Sequence, residues 1–211
     1  MSCILVVSPH PDDESIGCGG TLCKHVIDGD TVNVIFLTSG EGGGHGRSPE
    51  ETKRVREQEA TDAAQVLGLA HIEFWREPNG ALRVTKQLVD RLCEKITELQ
   101  AEIIYVTHDR EMHPEHRAAA RLVRRAVSNL SPSMVRPEVL MFEVWTPLQR
   151  MDQIVDITPY IGTKIAAIRA HKSQCEVLGF DDAFVGLARY RGEMFSWPDG
   201  DYAEIFAQLH P

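Results

Sequence analysis

Residues 3–14 read Cys3-Ile4-Leu5-Val6-Val7-Ser8-Pro9-His10-Pro11-Asp12-Asp13-Glu14, and this stretch sets the fold. A short β-branched run, read as a strand, passes through a turn stiffened by Pro9 and Pro11 into three consecutive carboxylates. Comparable runs recur at 31–37, 103–106 and 139–144, with a fainter one at 71–74. Helix-length amphipathic stretches lie between them, at 15–27, 49–67, 85–99 and 114–129. The second has the clearest boundaries: Ser48-Pro49-Glu50-Glu51 reads as a capping box with proline at the first helical position, and Gly68 as a stop.

Strands alternating with helices imply βαβ units, and so a mostly parallel sheet with helices on both faces. Beyond about residue 145 the pattern loosens, with a further strand expected at 154–157 and helices near 160–171 and 181–190. The expectation is one domain over residues 1–211: an α/β, Rossmann-like three-layer sandwich with a short C-terminal extension. Ligands of open parallel sheets bind beyond the carboxyl ends of the strands, where strand order reverses. In a 3-2-1-4-5 order that point falls between the first and fourth strands, so the segments after Val7 and after Val106 are where a site belongs.

Composition narrows the class. The formal charge is −9, from 22 Lys plus Arg against 31 Asp plus Glu, which argues against an extended phosphate-binding face and so against nucleic acid as a partner. No apolar run reaches the roughly 18 residues of a membrane span, and the N-terminus lacks the basic region of a signal peptide. The 5 cysteines are scattered and form no CxxC pair, which fits reduced thiols in a cytoplasmic protein.

Both segments singled out by the fold carry metal-ligand chemistry. The first is Ser8 to Glu14; the second reads Thr107-His108-Asp109-Arg110-Glu111-Met112-His113-Pro114-Glu115-His116. His10 and Asp13, three apart in a rigid turn, can converge on one point. Pro114 suits the first position of a helix, which puts His113 at its cap and His116 in its first turn. Two histidines and one carboxylate leave coordination positions open, as in a catalytic site, and suit Fe(II) as well as Zn(II). An ion held this way lowers the pKa of water and polarises a carbonyl. Asp12, beside the ligand Asp13, then reads as general base, and His113 as oxyanion stabiliser or proton donor to a leaving amine. The set is complete for metal-assisted amide hydrolysis.

At these residues the chain resembles the LmbE-like (PIG-L) family of zinc-dependent N-acetylglucosamine deacetylases. The resemblance rests on His10-Pro11-Asp12-Asp13-Glu14 and His113-Pro114-Glu115-His116, on Thr38 with Gly40, and on Arg56-x-x-Glu59 running into Leu67-Gly68. It extends to Lys164, His171-Lys172-Ser173-Gln174 and Tyr202-Ala203-Glu204. It implies removal of an N-acetyl group from a small amino-sugar conjugate, with His10, Asp13 and His116 ligating zinc, Asp12 as base and His113 as the second catalytic histidine. It also implies that Arg56 contacts substrate. Homo-oligomers are frequent among the proteins it resembles. Two positions depart from the family pattern: Glu115 stands where the second motif usually has Asp, and Asn79 stands where a loop Asp is common. The first lengthens any carboxylate contact that would orient His113; the second keeps an acceptor for a sugar hydroxyl but removes its charge.

Other features carry weaker expectations. Glu41, directly after the second strand, is a candidate substrate contact, and the glycine run from Gly40 to Gly46 a lid over the site. Gly17-Cys18-Gly19-Gly20 reads as close helix packing on the sheet. Trp75, Trp145 and Trp197 are candidate stacking aromatics, with core packing the default. Glu14 reads as a helix-terminal charge or supporting carboxylate, His171 as a residue bordering the site, and Asp109 as a partner of a ligand histidine or a turn cap. Two rival readings remain: a non-catalytic nucleotide- or sugar-binding module, and a metal-dependent amidase acting on another N-acyl substrate.

Overall fold

The structure, a computed structural model, describes residues 1–195 and 200–210; Trp197 lies outside the described residues. Its centre is the first strand, β1 (Cys3–Ser8), in which Ile4, Leu5, Val6 and Val7 are all 0% exposed. A strand buried on both faces has no polar side to alternate with, so it appears as a continuous apolar run. On one side β1 pairs in parallel with β2 (Thr31–Phe36), which pairs with β3 (His71–Phe74). On the other it pairs with β4 (Ile103–Thr107), followed by β5 (Glu138–Phe142). The parallel order β3-β2-β1-β4-β5 is the one expected, and Val7 lies level with both Ile35 and Val106. The turns after β1 and β4 therefore leave the sheet side by side.

Helices α1 (Asp13–Ile27), α2 (Pro49–Leu67), α3 (Lys86–Leu99) and α4 (Pro114–Ser128) follow the first four strands in the manner anticipated. Two helices, α3 and α4, bury Leu88, Leu92, Leu122 and Val123 on one face of the sheet. The other face takes Ile16 and Leu22 of α1, Ala60 of α2, Ile168 of α5 (Ile161–Ala170) and Phe180 at the start of α7 (Phe180–Phe195). At α2, Ser48 Oγ accepts from the Glu51 amide, and Gly68 closes the helix at φ 72°, a left-handed conformation that glycine adopts without steric cost.

The C-terminal part departs from expectation. Helix α7 runs longer than expected, and Lys172–Cys175 adds a short helix, α6. A strand that the sequence did not reveal, β7 (Ala203–Gln208), inserts antiparallel beside β5 and carries β6 (Gln153–Asp156) on its outer edge. Glu204 hides β7 by placing a carboxylate inside an apolar run. That carboxylate is buried, accepting from Lys164 Nζ at 2.5 Å, from the Gly20 and Thr21 amides, and from Thr21 Oγ1 at 2.6 Å. Lys164 Nζ also donates to the Ile16 carbonyl, so one buried ion pair ties α5 and β7 to α1.

The glycines of α1 let it settle on this assembly. A Cβ on Gly17 would lie 2.1 Å from the Phe142 ring, and one on Gly20 2.7 Å from Ile157. Gly17→Ala and Gly20→Ala should each lower stability by about 1–3 kcal/mol, the usual cost of overpacking. Gly162→Ala in α5, where a Cβ meets nothing, should be neutral or slightly stabilising. Urea midpoints of the three variants check this.

Candidate metal centre and active site

The turn between β1 and α1 is built by its own polar groups. The His10 amide donates to Asp13 Oδ2 at 2.9 Å, and the Thr38 amide and hydroxyl both donate to the Pro9 carbonyl at 3.0 Å. From the neighbouring turn, α4 begins at Pro114 with His113 as its cap, and places His116 beside His10. His10 Nδ1 stands 3.1 Å from Asp13 Oδ2, His116 Nε2 3.2 Å from His10 Nδ1, and His116 Nε2 3.3 Å from Asp13 Oδ1. Donors bound tetrahedrally at about 2.1 Å to one ion are separated by about 3.4 Å. These atoms therefore lie at about the spacing that ligands of a single cation would take.

The electrostatics agree with a cation site. Burial alone would lower His10, yet the Asp13 and Glu115 carboxylates outweigh it and lift the imidazole to about 9. Burial would raise Asp13, but the His116 and His10 rings pull it down to about 2.

His113 also lines the cleft, its ring centroid 4.9 Å from those of His10 and His116, and one nitrogen from each of the three lies within 4.8 Å of the others. Its Nδ1 accepts from the Glu115 amide at 3.3 Å, so in the neutral ring the proton sits on Nε2 and makes that atom a donor. Burial, and the neighbouring His10 and His116, keep its pKa below the usual value, favouring this neutral form.

Asp12 faces the same cleft. Burial pushes its carboxyl up to about 6 against the pull of Arg56, whose Nη2 donates to Asp12 Oδ2 at 2.9 Å. Asp12 sits at φ 148°, a conformation that L-residues rarely occupy and that costs about 1–3 kcal/mol unless its surroundings impose it. Arg56 imposes it: Nη2 also donates to the Pro11 carbonyl and Nη1 to the Gly40 carbonyl. The glycine loop wraps this guanidinium, with a Cβ at Gly40 falling 2.4 Å from Nη1. The same approach holds at Gly43, whereas a Cβ on Gly42 would meet Asn79 and one on Gly44 would meet Thr52.

The remaining candidates take definite places. Asn79 lines the cleft while its Oδ1 accepts from the Gly42 amide and its Nδ2 donates to Glu115 Oε2 at 2.8 Å. Glu41 Oε1 accepts from the Asn79 amide, outside the cleft lining. Glu115 contacts His10 Nε2 at 2.9 Å, so its carboxylate supports His10, in keeping with the weakened link to His113 that the substitution suggested. Glu14 accepts from the Asp12 amide and from Ser15 Oγ as a supporting carboxylate. His171 is buried behind the site against Ser15, not along the cleft. Asp109 pairs with Arg124 at 2.9 Å and touches no ligand histidine. Trp75 is core, while Trp145, 42% exposed, forms a cleft wall with Leu178 and Phe180. The cleft encloses about 340 Å³, room for a sugar-sized ligand.

Sequence reasoning passed over Glu111, although it lies inside the second motif. It is buried, with Oε1 accepting from the Val144 amide at 2.8 Å and the Thr146 amide at 3.2 Å. Burial would raise its carboxyl, but the His116 ring and those two amides hold it below the ordinary range.

The two departures from the family pattern meet in space, since the Asn79 amide feeds the Glu115 carboxylate. Asn79→Asp should therefore set two carboxylates against each other and lower stability at pH 7 by about 1–3 kcal/mol. Repulsion raises the folded-state pKa of one acid above its unfolded value, so the penalty is present at neutral pH and fades as acidification protonates that group. Urea midpoints of variant and parent, compared at pH 7 and pH 4, measure it.

A family model described as PIG-L: GlcNAc-PI de-N-acetylase matches residues 5–127. Among relatives, a probable N-acetyl-alpha-D-glucosaminyl L-malate deacetylase 2 from Bacillus cereus is 29% identical over 189 residues, covering 83% of this chain and 84% of its own. Among solved structures, a conserved protein from Thermus thermophilus aligns with TM-score 0.86 and 29% identity, over 100% of this chain and 96% of that one. A 4-carboxy-2-hydroxymuconate hydratase from Pseudomonas putida aligns with TM-score 0.87 and 26% identity, over 100% of this chain and 97% of its own. With both motifs inside the matched segment and the fold shared along its length, the chain belongs to the PIG-L family.

Proposed function

We propose that the protein is a metal-dependent N-deacetylase acting on a small N-acetylglucosamine-type conjugate, and that its ion is zinc, with Fe(II) compatible with the same ligands. The observation that carries this reading is the convergence of His10 Nδ1, His116 Nε2 and the Asp13 carboxylate at 3.1 to 3.3 Å, with Asp12 and His113 facing the same cleft. His10, Asp13 and His116 hold the ion, which when bound supplies Lewis-acid polarisation of the acetyl carbonyl and of the attacking water.

Asp12 takes one proton from that water as its oxygen attacks the carbonyl carbon; a carboxyl raised to about 6 is still mostly ionised at pH 7 and is a stronger base than an ordinary carboxylate. His113, with its proton on Nε2, donates to the developing oxyanion. The carbon–nitrogen bond then breaks as the proton held by Asp12 passes to the amine nitrogen, which returns Asp12 to its carboxylate and gives acetic acid, ionised to acetate in water, and a free amino sugar. Arg56 holds Asp12 in position, and Asn79 from the loop after β3, with Gly42 and Gly43 from the loop after β2, lines the part of the cleft that takes the sugar. Among the described residues no helix is long and apolar enough to cross a membrane.

Purified protein should release primary amine from N-acetylglucosamine conjugates, lose that activity to a chelator and regain it with zinc. Asp12→Asn should keep its metal, by elemental analysis, while turnover falls by about 10²–10⁴. A metal-loaded protein that releases no amine from any N-acetyl sugar, yet hydrates an unsaturated carboxylic acid, would replace this reading with a hydratase.

A further inference from the structure

Glu111 and His116 present two buried polar atoms with no hydrogen-bond partner among the described residues: Glu111 Oε2 and His116 Nδ1. They face each other at 3.8 Å, with Glu111 1% and His116 0% exposed. Leaving both atoms unsatisfied away from water is costly, so the pairing calls for a reason. The other oxygen of Glu111 is occupied by the Val144 and Thr146 amides, which fix the carboxylate's orientation. Nearby His108 does not compete for Oε2, since its Nε2 bonds the Thr146 carbonyl at 2.7 Å. Arg117 donates to the Glu111 and Met112 carbonyls and so pins the backbone of the same loop.

We propose that Glu111 is a positioning residue for metal binding: its Oε2 takes the Nδ1 proton of His116, which leaves the His116 Nε2 lone pair directed at the point shared with His10 and Asp13. The inference rests on the metal-site reading above. Imidazole carries one proton when neutral, and a ring with its proton on Nε2 would present a lone pair to the carboxylate and no lone pair to the metal. A carboxylate behind Nδ1 selects the opposite tautomer and makes Nε2 a better ligand. Glu115 stands in the same relation to His10, at 2.9 Å from its Nε2, so each ligand histidine has an acid at its back.

The discriminating variant is Glu111→Gln. Its amide oxygen still accepts from Val144 and Thr146, so the loop keeps its anchors, but its NH2 is a donor and cannot take the Nδ1 proton. Zinc affinity is measured by competition with a chromophoric chelator, and the urea midpoint of the metal-free protein is measured alongside. Long-range proton–nitrogen NMR of the wild type reads the His116 tautomer, assigned with His116→Gln. The inference expects a 10- to 100-fold loss of zinc affinity in Glu111→Gln with the metal-free midpoint unchanged, and a wild-type His116 proton on Nδ1. Wild-type affinity in Glu111→Gln, or a proton on Nε2 in the wild type, overturns it while leaving the metal site standing. A wild type that binds no zinc overturns the metal reading, and this inference with it.

Discussion

The buried ion pair between Arg56 and Asp12 holds the site together. Both side chains are withdrawn from water, where a lone charge would be expensive, so removing either partner leaves the other uncompensated. The guanidinium reaches the Pro11 carbonyl, the Asp12 carboxylate and the Gly40 carbonyl together. It thereby joins α2, the glycine loop and the turn after β1, and it holds Asp12 in a backbone conformation the residue would not keep unaided. The proposed role of Asp12, a base facing the cleft beside the ligand Asp13, depends on this restraint.

A second buried pair, Lys164 with Glu204, fastens the C-terminal segment to α1. Glu204 caps nothing at a helix terminus; it binds amides and a hydroxyl in the middle of α1, where the glycines let other elements approach. The C-terminal segment is thereby fastened to the helix whose first residues carry Asp13. Glu59 acts similarly, accepting the Ser173 amide and hydroxyl at 2.7 Å and so positioning Gln174, whose side chain donates to Gly43. The residues late in the chain that resemble the family are thus structural supports of the cleft.

Carboxylates account for the site's specialisation. Asp12 and Asp13 are neighbours in sequence with opposite environments: one is pushed up to about 6 by burial, the other drawn down to about 2 by two imidazoles. Such a separation between adjacent acids is what the proposed roles of Asp12 as base and Asp13 as ligand require. Glu115 extends the same logic, since its added methylene lets it touch His10 while collecting the amides of Gly80 and Leu82 and the side chain of Asn79. Asparagine at 79 and glutamate at 115 are in this sense one change made at two positions.

The parallel core, its strand order and the pair of turns that carry the chemistry were all legible in the sequence. They follow from local causes: apolar runs of strand length, helical periodicity, caps, and prolines that stiffen a turn. That His10, Asp12, Asp13, His113 and His116 meet in one cleft could be anticipated because they fall in two short motifs at places the topology marks. Which acid supports which histidine, that Arg56 and Asn79 bind within the protein, and that β7 exists all became visible in three dimensions alone. Glu111 meets His116, and Glu204 meets Lys164, through contacts between elements, and no periodicity or cap records a contact of that kind. A buried carboxylate looks like a surface one until the group that satisfies it is seen.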